Sequence, residues 1–397
     1  MLRLCPRRFV WVLVLALWAV AVHAKEFVYH YVSLDAAVPS SFLFFDPIVI
    51  NDSGRVYGNL YSCGNTNCDY LAITNAVYAA GTLTTLQPGI TYAVNNEGTV
   101  GGSVLIDPIN FIEQAALFHG DSVELIPRQP GESTSHVIAL NDPGTALVAS
   151  SNASGQLHFV LYSHGRATPL DFGPTVTNPD PRGMNNQGII AGIENKPLNA
   201  PRGFRFDPRT REATLLTPLP TEPDAWGLGI NDRGDVLGYS FVGGGRERVG
   251  VWDRDAQFNT YFVEGTPEFP TISNRLVFNG HNQIVISFVL APDSEKLKYS
   301  YLVPKPGVRL NVADLVENLP SGANLSFIAD INNHGDMIGS GNTGAFLLAR
   351  VDASTAAAPA SSLSSGNERH AIPPAAAAML RRYMSRLHPL KPGAALP

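Results

Sequence analysis

Few side chains in this sequence are spaced for chemistry, and most of those that are fall in one recurring frame, apolar-Asn-x-x-Gly-x-apolar-x-Gly. Its anchors are Asn51 with Gly54, Asn95 with Gly98, Asn141 with Gly144, Asn185 with Gly188, Asn231 with Gly234, Asn279 with Asn282 in the glycine place, and Asn332 with Gly335. Asn tolerates left-handed dihedrals and bonds its own backbone, and Gly takes positive φ without cost, so each frame is first a tight turn. Oxygen-rich turns also raise the question of calcium. An EF-type loop needs alternating carboxylates ending in Glu, whereas most of these turns hold one acid or none, so structural turns without a metal are expected. Arg233-Gly234-Asp235 spells an adhesion-type tripeptide. Its Gly belongs to the repeat and Asp235 has a counterpart in Asp336, which makes it a by-product of the frame.

Other chemistry is sparse. There is no Gly-x-Ser-x-Gly elbow, His-Glu-x-x-His pair, phosphate loop or dinucleotide fingerprint. His119, His136, His158 and His164 fall in repeats two to four, where they could gather at a channel mouth, but no acid partner is assignable from spacing. No catalytic residue, cofactor or metal ligand is therefore assigned. Beyond Cys5 near the start, the cysteines are Cys63 and Cys68, flanking Gly64-Asn65-Thr66-Asn67. Two thiolates supply half of a tetrahedral metal set, so a loop-stiffening disulfide is the expectation in an oxidising compartment.

The elements that must hold these residues follow from the spacing. Successive anchoring Asn residues are 44, 46, 44, 46, 48 and 53 positions apart, within the period of propeller blades. Each repeat divides into four apolar-rich strands, as in residues 91–95, 99–105, 114–118 and 122–126. Gly58, Gly102, Gly192, Gly238 and Gly339 fall inside second strands, where crowding of blades near the axis calls for a residue without a side chain. Aromatic third-strand residues such as Phe118, Phe204, Trp252 and Phe346 suit packing between blades. After Asn332 only two strands remain, while residues 26–32 form a spare strand before the first frame. The all-β expectation is thus a seven-bladed propeller of four-stranded blades over residues 25–351, closed when the N-terminal strand completes blade 7.

The frame resembles that of the bacterial extracellular HAF-repeat proteins, whose unit joins Ile-Asn-x-x-Gly-x-Val-x-Gly to a short His-Ala-Phe-like strand. The match covers roughly residues 44–350 and is best in 50–58, 230–238 and 331–339. The second half is approximate, with Gly344-Ala345-Phe346 and His158-Phe159 nearest. Repeat 3 has Val148, and repeat 6 has Asn282 and Ile286, in glycine places. The resemblance implies export and a repeat fold and assigns no chemistry. A WD40 assignment fails because Trp252-Asp253 occurs once.

The ends of the chain complete the organisation. Arg3, Arg7 and Arg8, the 14-residue apolar run 9–22 and Val22-His23-Ala24 read as a signal peptide over residues 1–24. Residues 352–374 are an Ala/Ser/Pro-rich linker, and residues 375–397 are a basic tail with a short amphipathic helix pattern through Leu380, Tyr383, Met384 and Leu387. Of the net charge of −6, the leader contributes +3 and residues 366–397 contribute +4, which leaves −13 for residues 25–365. An acidic body excludes nucleic acid as a partner, since phosphate binding needs clustered Lys and Arg. The resulting expectation is an exported monomer, secreted or periplasmic. It would act as a non-catalytic binding or scaffold module for an extracellular or envelope protein or glycan, its tail being a frayed end, with a weak contact to a membrane surface or partner as the alternative. The alternative is a propeller hydrolase or lyase with its site at the central channel.

Overall fold

A computed structural model describes residues 27–66, 68, 70–195, 201–220, 222, 224–243, 246–263, 275–288 and 299–351. The leader, linker and basic tail lie outside the described residues. Twenty-eight strands form seven four-stranded antiparallel sheets, six of them consecutive in sequence. The seventh has the order N-terminal strand, 344–350, 337–341, 327–331, with Tyr29–Ser33 antiparallel to Gly344–Arg350. The protein is a seven-bladed β-propeller closed by its N-terminal strand.

That strand is held on several sides. Tyr29, Tyr31 and Phe27 are buried in a core shared by blades 6 and 7. Tyr31 N donates to Asn318 Oδ1 at 2.6 Å, and Val351 N donates to Val28 O at 2.8 Å. Blade 1 packs on blade 7 through Phe45, Ile50 and Leu60 against Ala329, Ile338 and Ala345. The third-strand aromatics Phe118, Phe204, Phe206, Trp252 and Phe346 are fully buried between sheets.

The innermost strands are Phe44–Ile50, Ile90–Val94, Glu132–Leu140, Pro179–Met184, Ala225–Ile230, Arg275–Phe278 and Phe327–Ile331. All but that of blade 6 carry a bulge one or two residues before the terminal apolar position. Here the second-strand glycines find a different role from the one expected. The close approach lies within each blade: a Cβ on Gly102 would sit 1.8 Å from Ile90 O, and one on Gly238 1.7 Å from Trp226 O. The bulge turns an innermost-strand carbonyl onto the second strand, and only a residue without a side chain fits beneath it. Blade 6, with Ile286 there, has no bulge. Blade 3 keeps both Val148 and a bulge and is the exception.

Candidate functional site at the axial mouth

Because every innermost strand runs the same way, the seven Asn turns emerge together around one end of the axis. Within each turn the Asn side-chain oxygen accepts the backbone N–H four residues on, as Asn51 Oδ1 does from Arg55 N at 3.1 Å and Asn95 Oδ1 from Thr99 N at 2.9 Å. That use of the oxygen leaves the amide nitrogen to reach outward. Nδ2 of Asn95, Asn141, Asn185, Asn231, Asn279 and Asn332 each donates to the backbone oxygen of the anchoring Asn in the next blade, at 3.0–3.4 Å. The last of these bonds, Asn332 to Asn51 O, spans the ring closure. Asp could cap its own turn but has no N–H to send across, which explains Asn at these six anchors.

The residue after each anchor builds a second ring nearer solvent: Asp52, Asn96, Asp142, Asn186, Asp232, Gly280 and Asn333. Carboxylate and amide alternate, and the amides bridge. Asn96 Nδ2 donates to Asp52 Oδ2 at 3.2 Å and Asp142 Oδ2 at 3.0 Å; Asn186 Nδ2 donates to Asp142 Oδ2 at 2.8 Å and Asp232 Oδ2 at 2.9 Å; Asn333 Nδ2 donates to Asp52 Oδ2 at 2.8 Å. Backbone N–H groups run round the same circle, from Asp52 to Asn96 Oδ1, Asn96 to Asp142 Oδ1, Asp142 to Asn186 Oδ1 and Asn186 to Asp232 Oδ1 at 2.7–2.9 Å. Gly280 interrupts the side-chain chain, though its N–H still donates to Asn333 Oδ1 at 2.7 Å. Both rings wall a mostly polar cavity of about 210 Å³, which the apolar residues before the anchors, such as Leu140, Met184 and Phe278, also line. Among the described lining residues the polar groups are Asn amides, Asp carboxylates and backbone, a set that can accept or donate hydrogen bonds but holds no nucleophile paired with a base.

The histidines do not gather there. His119, the last residue of a third strand, meets Glu124 at 3.5 Å, and His164, in the turn between a third and an outer strand, meets Ser163 at 2.7 Å. His136 lies on an innermost strand against Tyr92, ring centroids 5.2 Å apart, and burial lowers its pKa. His158 Nδ1 is 3.3 Å from Glu132 Oε1, which also accepts from Ser150 Oγ at 2.5 Å. A Ser, a His and a Glu in contact suggest a relay, but here the carboxylate holds both partners and the hydroxyl does not face the imidazole. Blade 5 supplies an internal control. Glu222 accepts from Ser240 Oγ and from Arg248 Nε at 2.6 Å, with Arg in the imidazole's place. The unit is a clamp that ties an entering loop to its blade. The RGD aspartate is likewise turned inward: Asp235 is buried, 3.1 Å from Arg233 and bonded by Asn282 Nδ2 at 2.9 Å. Cys63 and Cys68 form a disulfide, Cα atoms 4.6 Å apart.

A level deeper, strand pairing makes Asp46, Ile90, His136, Asp180, Trp226, Arg275 and Phe327 equivalent around the axis, each opposite the second-strand residue after the bulge contact. Here Asp46 Oδ2 and Arg275 Nε are buried without a hydrogen-bond partner among the described residues. Sequence spacing did not single out either residue. Their shared register with Trp226 and Asp180 was the available signal.

No family model and no curated protein matches the chain by sequence. Among solved structures it is similar to the β-propeller domain of the Trilobed protease from Pyrococcus furiosus, with 7% identity and a TM-score of 0.53 over 78% of this chain and 94% of that one. It is also similar to the Pyrococcus horikoshii acylaminoacyl peptidase, with 8% identity and a TM-score of 0.52 over 78% of this chain and 51% of that one. The chain therefore spans about half the length of that peptidase. At such identities the likeness establishes the propeller fold and nothing of activity.

Proposed function

We propose that this chain is an exported, non-catalytic binding or scaffold propeller of the HAF-repeat type, working in the periplasm or outside the cell on an envelope protein or glycan. The observation that carries the reading is the spent chemistry at the axial mouth: the carboxylates that converge there are bonded by amides of neighbouring blades, so the mouth locks the ring. A scaffold role needs such rigidity, and a disulfide in the first blade suits an oxidising compartment. Recognition then falls to the opposite mouth, where loops such as 126–131, 170–178 and 312–326 differ from blade to blade, as binding surfaces on rigid scaffolds do. The test pairs sedimentation of the purified protein with isolated cell-envelope polymers against turnover of a panel of peptide, ester and glycoside substrates. Saturable co-sedimentation without turnover supports the proposal. Turnover abolished by Asp142→Asn or Asp232→Asn would replace it with a channel enzyme.

A further inference from the structure

The unpartnered groups deep in the ring lie at its seam. Arg275 stands on the innermost strand of blade 6, Asp330 on that of blade 7 and Asp46 on that of blade 1, so three side chains span the junction at which the chain's two ends meet. Arg275 Nη2 donates to Ala329 O at 3.1 Å, and Asp330 Oδ2 accepts from Ile50 N at 3.0 Å, linking blade 6 to 7 and blade 7 to 1. The Arg275 charge acts on both carboxylates. Asp46, only 8% exposed, has no donor on Oδ2 among the described residues. One guanidinium can neutralise one buried carboxylate, and a second charged carboxylate there is left uncompensated.

We propose that Asp46, Arg275 and Asp330 form a proton-dependent clasp across the closing seam, tight while Asp46 carries its proton and loosened once that proton leaves. The charged groups around Asp46 are few. Across the seam stand Arg275 and Asp330, with Asp52 acting on Asp330. Arg350 lies on the third strand of blade 7, while the second strand of blade 1 and the innermost strand of blade 2 add only the phenols Tyr57, Tyr61 and Tyr92. Burial pushes the Asp46 carboxyl from its ordinary 3.8 up to about 7 and that of Asp330 up to about 6, the first against the pull of Arg275 and the second against backbone hydrogen bonds as well as Arg275. The folded ring therefore binds more protons than the unfolded chain between pH 4 and 7. The clasp's contribution is complete below about pH 4 and is lost as pH rises through about 6 to 7. A protein working outside the cytoplasm would feel that range directly.

The experiment uses the full exported chain and its Asp46→Asn variant, which keeps shape and removes the titration. Amide hydrogen exchange, corrected for intrinsic rates, is compared at pH 5.5 and 8.5, with urea midpoints across the same range. In the parent, protection of residues 29–33, 44–50 and 327–331 should fall at least tenfold more than that of blades 3 and 4 as pH rises, and Asp46→Asn should remove most of the difference. Asp330→Asn, which keeps an oxygen for Ile50 N, should shift the remaining titration. An unchanged pH dependence in Asp46→Asn, or a loss spread evenly over seven blades, would overturn the clasp.

Discussion

Asn186→Asp tests whether the outer ring stabilises the fold. The change is isosteric, and the carboxylate still accepts the Asp142 N–H now bonded at 2.8 Å. It removes the two bonds from Nδ2 to Asp142 and Asp232, 2.8 and 2.9 Å long, and replaces the donor with a third negative charge between two others. A hydrogen bond to a charged group is worth about 1.5–3 kcal/mol when buried, but this rim is wet, and exposed pairs fall to about 1 kcal/mol or less. Two lost donors then cost about 1–2 kcal/mol. Two carboxylate pairs about 4 Å apart in nearly bulk dielectric add about 1 kcal/mol each. The total, about 3–4 kcal/mol at pH 7 and low salt, corresponds to a melting transition lower by roughly 4–6 °C for a domain of this size. Differential scanning calorimetry across salt and pH separates the two parts. Added salt should recover the repulsive half, and acid should recover more, because a protonated carboxyl donates again. If Asn186→Asp melts with the parent at pH 7 in 20 mM salt, the ring is decorative, and the argument for a locked mouth fails with it.

Deleting residues 25–33 removes the buried Phe27, Tyr29 and Tyr31, each worth about 1.5–3 kcal/mol, and should abolish the cooperative transition, whereas deleting residues 353–397 should leave it within about 2 °C; the reverse pattern by calorimetry would discard the closure. Gly238→Ala drives a methyl to 1.7 Å from Trp226 O and should cost about 3 kcal/mol or more in urea unfolding, whereas Gly120→Ala, with open space around it at φ +57°, should cost no more than about 1–2 kcal/mol. Intact mass of the protein purified without reductant should rise by two hydrogens on reduction of Cys63–Cys68, and free thiols in material freshly purified from an oxidising compartment would remove the bridge.

The blade count and the closure were legible because they depend on periodicity. Asn-x-x-Gly has a local cause in turn chemistry, strand alternation has a local cause in burial, and counting both yields the spare strand without knowledge of any contact. The rings were harder to see. Asn51 and its equivalents read correctly as turn residues, but a turn explains only the oxygen of the amide, and the nitrogen's partner lies 44 to 53 positions away. Asp52, Asn96, Asp142, Asn186 and Asp232 stood in plain alternation in the repeats, a pattern that gains meaning only when successive turns become neighbours in space. The second-strand glycines were found for the wrong reason, since a bulge in the partner strand leaves no mark in the glycine's own neighbourhood. Asp46 and Arg275 were invisible because each sits in an apolar strand where one charged residue resembles an exposed edge.

Seven is odd, and a circle of odd membership cannot alternate two kinds of residue all the way round. The alternation must break at one place, and here it breaks between Asp232 and Asn333, at Gly280. The seven repeats are therefore not interchangeable. Exchanging repeats 2 and 3 would set two acids side by side and two amides side by side, while exchanging repeats 2 and 4 would leave the order intact. Parity thus restricts how such a gene can grow or shrink. Gain or loss of an adjacent acid–amide pair preserves the circuit, whereas duplicating a single acid or amide place sets two like residues side by side unless the copy is changed.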